Sequence, residues 1–263
     1  MKSHLRDVQN LIDKRGIEIQ KVGIKNVDVP LIIQRKGAQN QVVHARAKLS
    51  ASLGSSYKGT HMSRFMEILT EWQEKELLGA DIKGCLEDIR SKLDTKSAGL
   101  RFSFKYFIEK TAPVSKQKSL MAYDCSFEGS LDENDYKFFL GVKVPVTTLC
   151  PCSKEISDYC AHNQRAIIKV LVNYEEDQHI WIEDLISDIE SKASCDVYPI
   201  LKREDEKYVT EKAYDNPKFV EDVLRDIVLM FRENEIIKYY EVEVESIESI
   251  HNHEAWAYQL EVK

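Results

Sequence analysis

A change in the spacing of apolar residues near residue 60 constrains the fold of this chain most strongly. Between Gln41 and Leu53 apolar side chains occupy every second position, the period of a strand with one buried face. From Met62 to Trp72 they recur every three or four positions, as on one face of a helix. Blocks of strands followed by blocks of helices are typical of the α+β class, which is the predicted fold class.

The same two periods recur along the whole sequence. Strands are predicted over 22–33, 41–53, 100–108, 120–127, 138–146, 166–174, 236–247 and 254–262, and helices over 60–79, 82–93, 181–193 and from 216 onward, with Asn216 as cap. The order of two strands, two helices and two strands occurs twice. It predicts two tandem ββααββ modules, with antiparallel sheets and helices on one face. The predicted boundaries are an N-terminal arm over 1–16, a first module over 17–148 and a second over 149–263.

Composition excludes several classes of protein. The chain has 263 residues, 43% of them hydrophobic and 31% charged, with a net charge of −7 and no block of basic residues. A general nucleic-acid binder more often carries a basic stripe. No apolar run approaches the roughly 18 residues that span a bilayer, and the N-terminus lacks the apolar core of a signal peptide. We therefore expect a cytoplasmic protein with six reduced cysteines, no nucleic-acid partner and no membrane association.

Residues 147–165 hold the densest collection of reactive side chains, between two strand patterns. Pro151 excludes the middle of a helix for its neighbours, so we expect a loop, one helical turn over 153–159 and then a strand. Thiolate and imidazole are common ligands of zinc and related metals, so Cys150 or Cys152 is a candidate to share a metal with His162. The alternative is a set of ordinary reduced cysteines beside a loop histidine. A single Cys and His pair lacks the doubled spacing of a structural zinc finger and favours an open catalytic site.

Two further clusters carry polar chemistry. Lys58 and Arg64 flank a predicted helix start, where free backbone N–H groups attract anions; the alternative is an ordinary cap with solvated bases. In the run from Glu248 to Glu254, His251 and His253 alternate and are expected to point the same way. Imidazoles buried beside a carboxylate suit proton transfer near neutral pH, whereas the alternative is a pair of surface histidines.

Two acidic residues are candidates by association. Glu204 lies in a charged run and is a candidate third metal ligand; without the cysteine and histidine partners it would be a solvated charge. Glu221 lies near the start of an otherwise apolar helix, where exposed acids are routine. A carboxylate can also hold a purine by accepting hydrogen bonds from its amide and amino groups.

Five motifs occur in a fixed order along the chain, namely KGTHMSRF, TTLCPCSKEIS followed by AHNQR, ILKREDE, NPKFVED and ESIHNHEAWA. Together they cover roughly 50–260 and resemble GTP cyclohydrolase type IB, the prokaryotic enzyme. No Walker-type phosphate loop is present. The resemblance implies a tunnelling fold (T-fold), a homotetramer with active sites at subunit interfaces, and conversion of GTP and water to 7,8-dihydroneopterin triphosphate and formate, for pterins of the folate type or for deazapurines.

The resemblance also implies roles for individual residues. It makes Cys150, His162 and Glu204 ligands of a divalent metal, Mn²⁺ or Zn²⁺ with Fe²⁺ possible, and leaves Cys152 as a competitor of Cys150. Glu221 is implied to anchor guanine. Catalytic roles fall on Cys150, Glu248, His251 and His253, and pocket roles on Lys58, His61 and Arg64.

Three alternatives remain open from the sequence. They are an archaeal-type cyclohydrolase that yields a cyclic phosphate, a T-fold protein that binds a purine or pterin without turnover, and a structural zinc protein. A pure binder has no need of the three metal ligands, and a structural zinc protein would unfold without its metal.

Overall fold

The computed structural model describes residues 7–9, 11–133 and 135–263. Residues 1–6 and 10, which belong to the predicted N-terminal arm, lie outside the described residues, as does residue 134. In the described part of the arm, Ile12 forms an isolated antiparallel bridge with Tyr57. No helix in these ranges is long and apolar enough to cross a membrane.

The first half of the chain begins with a hairpin, formed by the two strands predicted over 22–33 and 41–53. Its two strands pair antiparallel, and Gly37 in the connection has a φ of 62°, a left-handed value that glycine adopts without steric cost. The elements are β1 (Ile19–Ile33), β2 (Gln41–Leu53), α1 (Met62–Trp72), β3 (Glu76–Leu77), a 3-10 turn (Gly79–Asp81) and α2 (Ile82–Leu93). The helix predicted over 60–79 ends at Trp72 because residues 73–76 are all polar and the apolar period stops.

Three long strands occupy the middle of the chain, and the remaining helices follow them. The elements are β4 (Ser97–Thr111), β5 (Lys118–Asp132), β6 (Asp135–Leu149), α3 (Pro151–Ile156), β7 (Asn163–Tyr174), α4 (Ile182–Glu190), β8 (Cys195–Asp196), α5 (Arg203–Asp215), α6 (Val220–Glu233), β9 (Ile237–Ser246) and β10 (Ala255–Val262). The proposed cap at Asn216 is wrong: Phe219 precedes α6, and the Asn216 amide instead donates to the carbonyls of Ala193 at 2.9 Å and Ser194 at 3.3 Å.

The ten strands of the described residues form one sheet, in the order β10-β9-β7-β6-β5-β4-β2-β1-β3, with β8 paired to β6. The sheet is mixed, because β1 and β3 run parallel. The prediction of two tandem ββααββ modules, with antiparallel sheets and helices on one face, is therefore wrong. The prediction rested on the spacing of apolar residues within short segments, which does not report how distant strands pair. Strands β4, β5 and β6 each have 15 residues, far more than their apolar runs suggested, and they belong to one continuous sheet.

The residues group into two compact units. Among the described residues, the first comprises 7–9, 11–34, 38–104, 126–133 and 135–139. Its helices bury Phe65, Ile68 and Leu69 from α1 and Ile82, Cys85, Leu86 and Ile89 from α2. A Cβ added to Gly129 of β5 would lie 2.6 Å from Ile82 and 2.9 Å from Leu86, so glycine allows α2 to approach the sheet closely.

The second unit comprises 35–37, 105–125 and 140–263. Within it β7 pairs antiparallel with both β6 and β9, and β9 pairs with β10. Helix α6 packs against β9 and β10, where the rings of Phe231 and Tyr240 have centroids 5.3 Å apart. The boundaries predicted at 16/17 and 148/149 stay predictions.

Candidate active site

Cys150 lies at the junction between β6 and α3. Its backbone is extended, Pro151 occupies the first turn of the helix, and the Cys150 sulfur accepts a hydrogen bond from the Ser153 N–H at 3.4 Å. The helical turn predicted over 153–159 instead spans 151–156, because proline is favoured at the first position of a helix. Cys150 therefore serves as the cap of α3, and its half-buried side chain is fixed where the sheet ends.

Antiparallel pairing brings Cys150 and His162 together. Leu149 lies opposite Asn163 at the end of the β6–β7 ladder, and the Cys150 N–H donates to the His162 carbonyl at 3.1 Å. The Ser153 hydroxyl accepts from the His162 N–H at 3.2 Å, so α3 also contacts this residue. Cys152, the competing thiol, lies exposed within α3.

The imidazole of His162 is held through Nδ1. This atom lies 2.8 Å from the Gln164 side-chain oxygen and 3.4 Å from the Ser249 hydroxyl. Across residues 7–9, 11–133 and 135–263, no hydrogen bond involves Nε2 of His162. A histidine whose first nitrogen is hydrogen-bonded can offer its second to a metal, the usual arrangement for metal-binding histidines.

Leu149, the last residue of β6, is hydrogen-bonded through both its backbone N–H and its carbonyl. The Leu149 N–H donates to the Ser194 hydroxyl at 3.2 Å, and the Leu149 carbonyl accepts from the Lys218 N–H at 3.0 Å. Lys218 lies just before α6, which places the start of that helix beside Leu149. Glu221, the predicted guanine anchor, lies exposed in the first turn of α6.

Glu204, the predicted third ligand, lies exposed at the start of α5. Its neighbour Asp205 is fully buried and fixes that start, accepting from the N–H groups of Lys202 (2.8 Å), Val114 (2.8 Å) and Ser115 (2.9 Å) and from the Ser115 hydroxyl (2.5 Å). Burial opposes ionisation of Asp205, but these hydrogen bonds outweigh it and hold its pKa well below the ordinary range.

Within the described part of the chain, no three His, Cys, Asp or Glu side chains gather in an arrangement that would hold a metal ion. Cys150 and His162 are brought together, whereas Glu204 is placed at the start of a separate helix. The donor types fit a borderline divalent cation, since thiolate and imidazole suit zinc and its neighbours. The site formed by Cys150, His162 and Glu204 stays a prediction.

The segment with the predicted proton-transfer residues connects β9 to β10 through a series of bends. His251 and His253 are exposed, so the expectation that they are buried is wrong. Their rings are stacked on each other, with centroids 4.9 Å apart and an angle of 13° between the ring planes. Glu248 is half-buried and accepts from the Ser246 hydroxyl at 3.1 Å. Because Ser249 contacts His162, this segment lies beside the Cys150 region.

The predicted phosphate-binding residues lie in the first unit. His61 precedes α1, whose first turn contains no acidic residue. The His61 ring lies 3.5 Å from the Asp7 carboxylate, and Arg64 donates to the Lys92 carbonyl at 2.9 Å. Lys58 is exposed. The substrate roles of Lys58, His61 and Arg64 stay predictions.

Sequence reasoning missed several residues that organise this region, namely Asp205, Ser153, Thr148 and Ser246. For two of them a signal exists. Thr148 continues the buried alternation of Val144 and Val146 in β6, and Ser246 continues that of Val242 and Val244 in β9. A hydroxyl on the buried face of a strand needs a partner there, so the alternation at each position is a signal for a polar contact at the sheet end.

Comparisons with known proteins agree along almost the whole chain. The family model described as "Type I GTP cyclohydrolase folE2" matches residues 5–257. The GTP cyclohydrolase FolE2 of Syntrophus aciditrophicus is 50% identical over 252 residues, covering 96% of this chain and 98% of the relative. The FolE2 of Thermosipho africanus is 48% identical over 253 residues, covering 96% of each. That of Caldicellulosiruptor bescii is 50% identical over 254 residues, again covering 96% of each.

Solved structures show the same fold in proteins of unrelated sequence. The uricase of Arthrobacter globiformis aligns with a TM-score of 0.52 at 4% identity, covering 93% of each chain. A hyper-thermostable mutant of a uricase (AgUricase) aligns with a TM-score of 0.55 at 5% identity, covering 93% of this chain and 92% of the other. At such identities the likeness establishes a uricase-like fold and no shared chemistry.

The resemblance inferred from the five motifs is confirmed at the level of GTP cyclohydrolase, while the subtype that matches is FolE2, where the motifs suggested type IB. The reading as a purine or pterin binder without turnover is thereby rejected. Nearly full coverage by the family model, together with relatives 48% to 50% identical, shows that the chain belongs to the type I GTP cyclohydrolase folE2 family and is a GTP cyclohydrolase.

Proposed function

We propose that this cyclohydrolase is metal-dependent and converts GTP and water to 7,8-dihydroneopterin triphosphate and formate. The observation that carries the proposal is the pairing of Cys150 with His162 at the end of the β6–β7 ladder. A thiol and an imidazole, 12 positions apart in sequence, are held by a backbone hydrogen bond, and the imidazole has its Nδ1 already engaged. Such a pair suits an open site with further ligands from other elements.

The proposed metal is Mn²⁺ or Zn²⁺, with Fe²⁺ also compatible with mixed sulfur, nitrogen and oxygen donors. Cys150 and His162 would hold it, with Glu204 of α5 as the proposed third ligand. When bound, the metal lowers the pKa of its water enough to supply hydroxide near neutral pH, which suits hydrolysis at C8 of guanine.

The remaining roles belong to side chains that reach solvent or the substrate. His251 is proposed to protonate the leaving nitrogen, with His253 and Glu248 as its partners in proton transfer. The exposed, stacked position of the two histidines suits exchange of protons with water. Glu221, in the first turn of α6, is proposed to accept hydrogen bonds from the guanine edge.

Lys58, His61 and Arg64 are proposed to contribute to the pocket for the triphosphate. Helix α1 has no side-chain hydrogen bond at its cap and no acid in its first turn, so its N–H groups are compatible with an anion. We further propose a homotetramer with active sites at subunit interfaces, a cytoplasmic location, and a place at the entry to folate-type pterins or deazapurines.

Product analysis tests the proposal directly. The purified protein is incubated with GTP and Mn²⁺, formate is quantified, and the pterin is oxidised to its fluorescent form and analysed by mass. Equal amounts of formate and a pterin triphosphate are expected. A cyclic phosphate would instead support the archaeal-type reaction.

Chelation provides the matched control for the metal. Removal of metal is expected to abolish formate release while leaving the far-UV circular dichroism spectrum unchanged, and Mn²⁺ is expected to restore turnover. Full activity after exhaustive chelation would refute metal dependence. Loss of structure on chelation would favour a structural metal.

A further inference from the structure

Four hydrogen bonds connect His162 to Glu248 across the ends of three neighbouring strands. His162 Nδ1 lies 2.8 Å from Gln164 Oε1, and Gln164 Nε2 lies 3.3 Å from Thr148 Oγ1. Thr148 Oγ1 lies 3.5 Å from Ser246 Oγ, and Ser246 Oγ lies 3.1 Å from Glu248 Oε1. We call these five residues the His162 chain.

Strand register explains why the five side chains meet. Thr148 of β6 lies directly opposite Gln164 of β7, and Ser246 of β9 lies opposite Ala166, the next β7 residue on the same face. Thr148 is 1% exposed and Ser246 is 0% exposed. Hydroxyls buried this completely must find their partners within the protein.

The direction of each bond follows from the Glu248 end. An ionised carboxylate only accepts, so the Ser246 hydroxyl donates its one hydrogen to Glu248. Ser246 can then only accept from Thr148, which uses the hydrogen of Thr148. With its hydrogen committed, Thr148 can only accept from the NH₂ group of Gln164.

The same logic fixes the amide and the imidazole. With its NH₂ group toward Thr148, Gln164 presents its oxygen to His162. An amide oxygen only accepts, so the proton of neutral His162 lies on Nδ1. The Ser249 hydroxyl, 3.4 Å from Nδ1, can accept from the same N–H. Nε2 is left as an unprotonated lone pair.

We propose that Gln164, Thr148 and Ser246 are positioning residues that hold His162 in the Nδ1–H tautomer, so that Nε2 is available as a ligand before any metal arrives. The inference deepens the proposed function and rests on it for the metal role of His162. It also joins His162 to Glu248, so that the orientation of one side chain depends on the other. The tautomer itself is a property of the chain alone and can be measured without metal.

The primary experiment measures that tautomer. The full-length protein is labelled with ¹⁵N-histidine, freed of metal with chelator, and studied by long-range ¹H–¹⁵N correlation NMR in alkaline buffer; the His162 signals are identified by their loss in His162→Asn. The wild type is expected to carry its proton on Nδ1. A proton on Nε2 in the wild type would overturn the proposal.

Thr148→Val tests the middle of the His162 chain with a side chain of nearly the same shape. Gln164 then loses the acceptor that orients its amide, so we expect a mixture of tautomers at His162. Thr148→Ser keeps the hydroxyl and is expected to restore the Nδ1–H form. An unchanged tautomer in Thr148→Val would overturn the proposal. Ser246→Ala provides a second break if the valine variant fails to fold.

Gln164→Glu separates positioning from a general loss of packing. A carboxylate accepts with both oxygens, so the variant no longer depends on Thr148 for its orientation. In the Gln164→Glu background, Thr148→Val is therefore expected to leave the Nδ1–H tautomer intact. A mixture in the double variant would show that Thr148 acts through packing and would overturn the role given to Gln164.

Metal binding distinguishes this proposal from the proposed function. With Zn²⁺ alone, Thr148→Val is expected to weaken binding roughly 10–100-fold, the usual effect of losing such a partner, and Thr148→Ser to restore it. If the tautomer shifts and the affinity for Zn²⁺ does not, the His162 chain stands and the metal role of His162 is rejected.

Discussion

Two histidine regions of the second unit differ in how their rings are held. His162 lies next to the end of the β6–β7 ladder. Its ring is hydrogen-bonded to Gln164, which in turn is hydrogen-bonded to a network of hydroxyl groups buried in the sheet. His251 and His253 lie on an exposed connection and are stacked on each other. The first arrangement fixes the direction of a lone pair, whereas the second leaves two imidazoles open to water. The difference supports the proposed metal role of the first region and the proposed proton exchange of the second.

The largest expected effect is at the fixed region. Cys150→Ala removes the proposed thiolate ligand and is expected to reduce formate release at least about 10³-fold, close to 4 kcal/mol in activation free energy. The assembly measured by light scattering is expected to persist. Cys152→Ala is the matched control, two positions along on α3, and should retain most activity. If Cys152→Ala were the inactive variant, the ligand assignment would pass to Cys152.

At the exposed region the expected loss is smaller. His251→Ala removes the proposed general acid and is expected to lower kcat on the order of 10²-fold, with Zn²⁺ affinity unchanged. His253→Ala keeps one imidazole and should lose less. Equal losses in the two variants, or a fall in metal affinity, would erase the contrast between the regions.

Loss of the proposed guanine anchor, Glu221, is expected to weaken the binding of GTP without affecting the metal. Glu221→Ala should raise the Kd for GTP roughly 10–100-fold, the size expected for lost hydrogen bonds to a charged group, while metal affinity stays the same. Isothermal titration with GTP and separately with Mn²⁺ measures both. Parallel loss of the two affinities would contradict a role limited to guanine.

The smallest effect concerns stability at the start of α5, beside Glu204. In Asp205→Asn an NH₂ group must face N–H donors, so we expect the Tm to fall by roughly 2–4 °C or more at pH 7. The matched control is Asp222→Asn. The wild-type Asp222 carboxylate accepts from the Phe219 N–H at 3.0 Å and is less buried, so the Tm of this variant should fall less.

The effect of Asp205→Asn on stability is expected to depend on pH with a definite sign. The folded pKa of Asp205 is lowered, so its stabilising contribution is complete above the unfolded pKa of about 3.9 and disappears as the pH falls toward the folded value. The Tm difference between wild type and Asp205→Asn should therefore shrink below about pH 4. A difference that grows on acidification would contradict the lowered pKa.

Local sequence patterns predicted the elements better than their assembly. The alternation over 41–53 defines β2 to the residue, because an antiparallel strand with one buried face must alternate. The same rule could not reveal that β4, β5 and β6 extend to 15 residues each, since their outer parts carry mixed polar residues. The number of strands in one sheet depends on pairing between distant segments, which period alone does not report.

For the candidate site, the sequence identified residues of suitable chemistry and missed the residues that hold them. Cys150, His162 and Glu248 were identified by their chemistry and by motif. No polar contact was predicted for Thr148, in the reactive segment 147–165, or for Ser246, in the strand predicted over 236–247, although both occupy buried positions. Asp205 was treated as part of a charged run, because nothing local shows that the turn at Val114 and Ser115 donates to it.

Leu149 limits whether Cys152 can take the position of Cys150 at the end of the β6–β7 ladder. Its N–H and carbonyl are both engaged, by Ser194 and by the backbone of Lys218, so the residue before Cys150 cannot slide along the ladder without leaving buried polar groups unmatched. A chain advanced by two residues, with Cys152 at the ladder's end, would break both contacts and unwind α3. The sulfur proposed as the metal ligand can therefore move along the chain only if the turn that ends at Ser194 and the α5–α6 connection that contains Lys218 are rebuilt.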